Sequence, residues 1–283
     1  MWLEQRLSAA KDQPTSRFAL QGAVNRMRAL AMVVAAGGFT APDLRTHFQA
    51  VQRRTVDQTA DTLAFESLLM AWHFLAGLTE SAAQTSSPYP RIRGDITDWY
   101  YATYFAARSM LHAHSASVPE NHLGVASIWA TQIAQPGLAV YPFSPMLPSL
   151  LKKDVDAAVI KMPAPAPRGE STPPQDLQHA EAIITSGLKG SVDYYRWRAE
   201  EDLKRRKEFK DLGVDDFRTA AARHLRDVRY QRTSLGYLHQ AFRSRGKANY
   251  RDTLYLTYGS DYTTKLIQHR LDQVEVATAF FIM

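Results

Sequence analysis

The stretch Asp98-Trp-Tyr-Tyr-Ala-Thr-Tyr-Phe-Ala-Ala-Arg-Ser-Met-Leu111 decides the fold class that we predict for this chain. Helical spacing places large apolar side chains on one face and small ones on an adjacent face, so nearly the whole helix surface is suited to packing. A helix that is apolar on most sides belongs in the middle of a helical bundle or at an interface between helices. We therefore predict an all-α helical bundle centred on a helix over residues 95–115.

The segments on both sides of this helix repeat the same periodicity. Residues 56–78 carry a wide apolar stripe, and the Ser-, Thr- and Pro-rich segment 79–90 that follows predicts a loop. Further helices are predicted to begin at His122 and near Asp176, and a last one runs from about Ser260 to the C-terminus. The alternation that is typical of strands is scarce, which favours an all-α fold.

A Pro-rich segment divides the chain, because proline continues neither a helix nor a sheet ladder. Whether the N-terminal residues form a separate domain or additional helices on the same bundle is open at this stage. The predicted parts are an N-terminal helical extension (1–55), the first part of the bundle (56–162), the Pro-rich linker (163–175), inserted basic helices (176–243) and the closing part of the bundle (244–283).

The composition excludes several classes of site. The chain has 283 residues, 45% of them hydrophobic, and no cysteine, which removes disulfides, thiolate metal sites and cysteine nucleophiles. No His-Glu-x-x-His or phosphate-binding glycine pattern occurs, so we predict neither a metal nor a cofactor. No apolar run has the length of a signal peptide or a membrane span. We expect a cytoplasmic protein without a membrane partner.

Positive charge is concentrated near the C-terminus. The formal net charge is +6, and the segment from Phe217 to Arg251 contains nine Lys or Arg residues and one acid. Such a segment is an electrostatic footprint for phosphates, and the alternative is a solvated helix face. The candidate RNA-binding residues are Arg223, Arg226, Arg229, Arg243, Lys247 and Arg251.

Three segments together resemble the HEPN domain family. Tyr100-Tyr-Ala-Thr-Tyr-Phe-Ala-Ala-Arg-Ser-Met-Leu111 resembles the long interface helix of that family, and His122-Leu-Gly-Val125 is similar to its His-x-Gly-Val motif. Arg245-Gly-Lys-Ala-Asn-Tyr250 is similar to the Arg-x-x-Ala-Asp-Tyr segment before the closing helix of one branch. Asn249 replaces the aspartate of that motif, and the segment arrives about ninety residues later than in a minimal domain, as though helices were inserted.

The ribonuclease members of the family that the chain resembles carry an Arg-x(4–6)-His pair, and two pairs satisfy this spacing. They are Arg108 with His114 and Arg232 with His239. A histidine near its ordinary pKa transfers protons at neutral pH, and an arginine stabilises a phosphate through paired hydrogen bonds. The alternatives are an arginine that caps a helix end, a histidine that faces water, or a simple contact to a phosphate backbone.

This resemblance implies a metal-independent endoribonuclease with a composite site between two protomers, of the toxin or phage-defence type. It implies Arg245 and Tyr250 as a third candidate catalytic pair, with Tyr100, Tyr104 and His122 as structural or site residues. Tyrosine has a pKa near 10 and is a poor base at pH 7. The implied partners are RNA, a second copy of the chain, and an antitoxin or nucleotidyltransferase.

Two alternatives to a ribonuclease stay open. The first is a catalytically inactive HEPN-like module that binds RNA, a nucleotide or a nucleotidyltransferase partner. The second is a helical scaffold whose basic residues only maintain solubility.

Overall fold

The predicted all-α fold is confirmed. The computed structural model describes residues 16–52, 54–83, 91–115, 118–165, 172–248 and 263–283, which contain twelve α-helices. The helices are α1 (Ser16–Ala36), α2 (Ala41–Phe48), α3 (Gln58–Ala83), α4 (Ile92–His114), α5 (His122–Trp129), α6 (Lys152–Ile160), α7 (Leu177–Gly190), α8 (Val192–Arg205), α9 (Lys207–Lys210), α10 (Ala220–Gln231), α11 (Tyr237–Gly246) and α12 (Thr263–Ile282).

One small strand pair accompanies these helices in the described residues. Strand β1 (Met146–Leu147) pairs antiparallel with β2 (Leu235–Gly236), and Leu147 lies opposite Leu235. The pair joins the segment before α6 to the start of α11. It therefore connects residues that are almost ninety positions apart in the sequence.

The central position predicted for helix α4 is confirmed by its packing. It contacts α3, α5, α11 and α12, and its small residues Ala102 and Ala107 are almost fully buried. Tyr100 and Leu111 are buried on the same helix. Small side chains let neighbouring helices approach closely, while the larger ones fill the volume between them.

Helix α1 is part of the main bundle. It packs against α7 and α12, and its residues Ala29, Leu30 and Ala31 belong to the same hydrophobic core as α4. The predicted N-terminal extension therefore contributes at least one helix to this core. Residues 1–15 lie outside the described part of the chain.

The loop predicted for residues 79–90 is wrong for its first five residues, because α3 continues to Ala83. Leu78 and Ser81 face the interior and are buried there. The Ser81 hydroxyl donates a 2.7 Å hydrogen bond to Asp95 Oδ1, so this part of the chain is held against α4. Residues 84–90 lie outside the described ranges.

Ser81 and Asp95 belong to a buried ion pair that joins three helices. Arg270 of α12 donates from Nε to Asp95 Oδ2 of α4 at 2.7 Å and from Nη2 to Ser81 Oγ of α3 at 3.0 Å. The side chains of Arg270 and Asp95 are only 2% and 1% exposed. This network fixes the relative position of the helices around α4.

A second hydrophobic cluster supports the basic helices. Leu147, Val155, Leu188, Tyr195 and Leu235 belong to it and come from both strands and from α6, α7 and α8. The Pro-rich linker prediction covers residues 163–175, of which 166–171 lie outside the described ranges. The charged helix predicted for residues 193–211 is divided into α8 and α9, because the backbone is extended at Arg206 between them.

Helix α3 has an apolar outer face. Phe65, Leu69 and Trp72 are each more than 60% exposed on it. Among the described helices it is the one that is long and apolar enough to span a membrane by length and composition alone, and 22% of the relevant window is buried in the protein. The expectation of a protein without a membrane partner stays a prediction.

Candidate functional site

Three segments that are far apart in the sequence meet in one cluster of side chains. The hydroxyl oxygen of Tyr100 lies 2.8 Å from Nδ1 of His122. Arg245 donates from Nη2 to the Tyr101 hydroxyl at 3.1 Å, and its guanidinium carbon lies 5.4 Å from the ring centre of Tyr100. We call Tyr100, Tyr101, Tyr104, His122 and Arg245 the tyrosine–histidine cluster.

Helical spacing on α4 places a row of side chains along one side of this cluster. Tyr100, Tyr104 and Arg108 are four residues apart and therefore share a face. The two tyrosine rings stack at 5.8 Å, and the Arg108 guanidinium carbon lies 5.9 Å from the Tyr104 ring centre. One arginine consequently lies at each end of the tyrosine row, Arg245 beside Tyr100 and Arg108 beside Tyr104.

The N-terminus of α5 positions His122. Asn121 caps the helix by accepting a 2.7 Å hydrogen bond from the backbone N–H of Gly124. A Cβ atom at position 124 would lie 2.7 Å from Cβ of Pro119, so only glycine permits this close approach of the preceding loop. His122 is thus the first helical residue, and its ring lies 4.5 Å from that of Tyr104.

The electrostatic environment keeps the His122 imidazole neutral at pH 7. Burial, followed by the positive charges of Arg245 and Arg108, lowers the pKa of His122 below its ordinary value. Burial also raises the pKa of Tyr100, whose phenol therefore stays protonated. Since Nδ1 of His122 is bonded to Tyr100, Nε2 is the nitrogen without a hydrogen-bond partner among the described residues.

The tautomer of His122 determines what Nε2 can do. A phenol hydroxyl both donates and accepts hydrogen bonds. When Nδ1 carries the proton and donates to Tyr100, Nε2 presents a lone pair and accepts a proton from a bound molecule. The contact with Tyr100 orients the ring, and a role of Nε2 as a base requires the tautomer in which Nδ1 donates to Tyr100.

The structure places Arg108 in this site and His114 outside it. Arg108 contacts Tyr104, whereas His114 is exposed in the last turn of α4. The histidine nearer to Arg108 is His112, which is buried and has no hydrogen-bond partner on either ring nitrogen within the described ranges. Burial, then the charges of Arg108 and Arg54, lower its pKa, so His112 is a neutral core residue.

The pair Arg232 and His239 has a different environment. Arg232 is exposed at the end of α10, but His239 is 2% exposed. Its Nδ1 accepts from the Gly236 backbone N–H at 3.3 Å, and its Nε2 lies 3.4 Å from the Ser127 hydroxyl. Burial lowers its pKa to about 4. With both ring nitrogens engaged, His239 is better suited to holding α11 in place than to transferring protons.

Of the third pair, Arg245 lies in the tyrosine–histidine cluster. Its predicted partner Tyr250 lies outside the described residues, as does the candidate RNA-binding residue Arg251. Lys247, also predicted to bind RNA, is half-buried at the end of α11. Among the described residues, His122 is close enough to Arg245 for the arginine's charge to lower its pKa.

The basic residues on α10 that were predicted to bind RNA differ in whether they already form ion pairs within the protein. Arg223 is exposed. Arg226 contacts Asp227 at 2.9 Å, and Arg229 contacts Asp202 of α8 at 3.1 Å. Surface ion pairs of this kind are weak, so they leave these arginines able to exchange partners.

Arg243 is engaged within the fold, and the RNA-binding role predicted for it stays a prediction. Its Nη1 donates to the Gly190 carbonyl and the Ser191 hydroxyl, both at 3.3 Å. Its guanidinium carbon lies 4.8 Å from the ring centre of Tyr194. These contacts hold α11 against the junction of α7 and α8, which is a structural role.

Sequence reasoning missed one member of the cluster, Tyr101, and two residues that border it, Phe242 and Arg198. Tyr101 accepts the hydrogen bond from Arg245, and the ring of Phe242 stacks on His122 at 5.7 Å. The guanidinium carbon of Arg198 lies 5.8 Å from the Phe242 ring centre. Phe242 precedes Arg245 by three residues, and this helical spacing was a usable signal. No signal on α8 links Arg198 to α11.

Comparison with protein-family models, curated proteins and solved structures gives no match. Within the described ranges, no group of three or more His, Asp and Glu side chains has the arrangement of a metal site. The candidate site therefore consists of the cluster, with one neutral imidazole, one guanidinium group and three phenols, and of Arg108, which adds a second guanidinium group beside Tyr104.

Proposed function

We propose that the protein is a metal-independent endoribonuclease that acts as a dimer, as a toxin or phage-defence effector. The observation that carries this proposal is the meeting of His122 with Tyr100 and Arg245 in one partly exposed cluster. These residues come from the three segments that resemble HEPN domains. Cleavage of RNA needs a base to deprotonate the 2′-hydroxyl and positive charge to stabilise the phosphate. A histidine beside two arginines supplies both.

The reaction follows from these groups. Nε2 of His122 takes the proton of a ribose 2′-hydroxyl, and the 2′-oxygen attacks the adjacent phosphorus. The bond from phosphorus to the 5′-oxygen breaks, which leaves a 2′,3′-cyclic phosphate and a 5′-hydroxyl. The 5′-oxygen receives its proton from water, and the imidazolium formed on His122 then loses its proton to the solvent. Arg245 and Arg108 stabilise the negative charge that develops on the phosphate oxygens.

The rate of cleavage is expected to rise with pH through the pKa of His122 and to level off by pH 7. A base works only in its deprotonated form, and burial together with Arg245 and Arg108 lowers this pKa below 6.5. We would measure kcat/KM from pH 4.5 to 8 in EDTA. A midpoint on the rising limb above pH 7 would contradict the role of His122.

Replacing Arg245 by glutamine is expected to lower kcat by about 10²–10³-fold, because the transition state loses a preorganised charge. Arg245→Lys keeps the charge but loses the planar guanidinium, so its kcat is expected to lie between those of the wild type and Arg245→Gln. The matched control is Arg45→Gln, which removes an equal charge from an exposed position on α2. Equal rates for Arg245→Gln and the control would exclude Arg245 from the site, given unchanged circular dichroism.

One observation favours the inactive binding module as the second candidate. The described cluster has a single histidine, and its Arg245 is already bonded to Tyr101. A binding module retains RNA without cutting it. Incubation with mixed RNA in EDTA separates the two candidates, and light scattering of the same sample measures whether the protein is a dimer.

A further inference from the structure

A groove lined by arginines adjoins the tyrosine–histidine cluster. It encloses about 590 Å³ between α8, the end of α10 and the start of α5. Four of its lining residues, Arg198, Arg206, Arg229 and Arg232, are arginines, and we call it the arginine groove. The candidate RNA-binding residues identified in the sequence include only one of the four, Arg229.

The charge of the arginine groove is strongly positive. Asp202 is its single acidic lining residue, and it is shared between Arg206 at 2.9 Å and Arg229 at 3.1 Å. Arg198 and Arg232 make no ion pair within the described part of the chain. Four guanidinium groups against one carboxylate leave an excess of about three positive charges, which favours a polyanion.

The arginine groove begins at the residues that flank His122. Both Asn121 and Leu123 line it. At the same end, Arg198 lies over the ring of Phe242, which stacks on His122. The arginine groove is therefore adjacent to His122 along α5, through Asn121 and Leu123, and in space, through Arg198 and Phe242.

We propose that the arginine groove carries the phosphate backbone of single-stranded RNA to His122, with Arg198 and Arg232 on the phosphates beside the reacting one. The assignment of RNA rests on the proposed ribonuclease function. A basic groove that ends at aromatic rings is the arrangement that binds single strands, since phosphates follow the charges and an unstacked base lies on a ring. Here the rings are those of Phe242 and His122.

The test measures binding separately from cleavage. A fluorescent 12-nucleotide RNA with 2′-O-methyl groups lacks the attacking hydroxyl, so its anisotropy reports binding alone. For Arg198→Gln/Arg232→Gln we expect the Kd at physiological salt to rise about tenfold. The slope of log Kd against log salt concentration should fall by about 1.4, or 0.7 for each lost phosphate contact.

Two further variants control this measurement. Arg45→Gln/Arg218→Gln removes the same charge from exposed positions outside the groove and is expected to change the Kd by less than about threefold. Arg232→Gln alone should lower the slope by about 0.7. Arg232 is exposed, so this single variant tests phosphate binding without disturbing the contact of Arg198 with Phe242.

Each outcome decides one of the two proposals. Unchanged binding of the groove variant, with cleavage of unmodified RNA by the wild type, overturns the groove and leaves the ribonuclease. Weakened binding without any cleavage by the wild type supports the groove and overturns the ribonuclease. Equal affinity for a duplex of the same strand, or displacement of the RNA by an equal charge of polyglutamate, would overturn the assignment of a single strand.

Discussion

Replacing His122 by alanine is expected to slow RNA cleavage by about 10²–10⁴-fold, the range that a positioned proton-transfer group contributes. His122 has one nitrogen fixed by Tyr100 at 2.8 Å and the other without a partner in the described residues. Burial and two arginines keep it neutral at pH 7. The rate constant of a single turnover on a fluorescent RNA, measured in EDTA, reports the loss directly.

The matched control is His114→Ala. His114 belongs to the arginine–histidine pairs that the sequence suggested, and it is exposed at the end of α4. We expect its replacement to leave the rate within about twofold, because exposed substitutions away from a site have small effects. The reverse result, a large loss with His114→Ala and none with His122→Ala, would move the catalytic base to the end of α4.

Replacing Arg270 by methionine is expected to lower the free energy of unfolding by about 3–5 kcal/mol, because Asp95 would keep a buried charge without its cation. Both side chains are almost completely buried, and Arg270 also donates to Ser81. The loss would affect three helices at once, since these residues belong to α12, α4 and α3. Urea unfolding followed by circular dichroism measures the change, and native stability is commonly 5–15 kcal/mol.

Lys204→Met provides the control for this measurement. Lys204 pairs with Glu201 at 2.9 Å on the surface of α8, with both side chains more than a third exposed. Exposed pairs contribute about 0–1 kcal/mol. A loss of less than 1 kcal/mol for Arg270→Met would show that Asp95 is not held as a buried anion. The double variant Arg270→Met/Asp95→Leu should recover part of the lost stability, because no charge is then buried alone.

The central helix was predictable from the sequence because the apolar and small side chains on most of its faces require it to be buried. A segment with small residues on one face and aromatic ones on another has no favourable exposed side, and α4 is accordingly buried by four neighbouring helices. The end of α3 was mispredicted for the opposite reason. Residues 79–83 have loop-like composition, and only the bond from Ser81 to Asp95 shows why they are helical.

The site was predictable only in its pieces. Tyr100, His122 and Arg245 each belonged to a segment singled out in the sequence, but spacing along one helix favoured the pairs with His114 and His239. Helical spacing describes neighbours on a single helix, whereas a catalytic constellation joins different helices. The burial of His239, which lowers its pKa to about 4, is likewise a property of the surrounding elements.

The all-α class, the central helix and the presence of residue types suited to phosphate chemistry depend on local periodicity and composition. These features could therefore be read from the amino-acid sequence. Only the folded chain shows which histidine meets which arginine, which arginines hold helices together, and which arginines line one groove beside the start of α5. Those properties depend on contacts between residues far apart in the chain, such as the 2.8 Å contact of Tyr100 with His122.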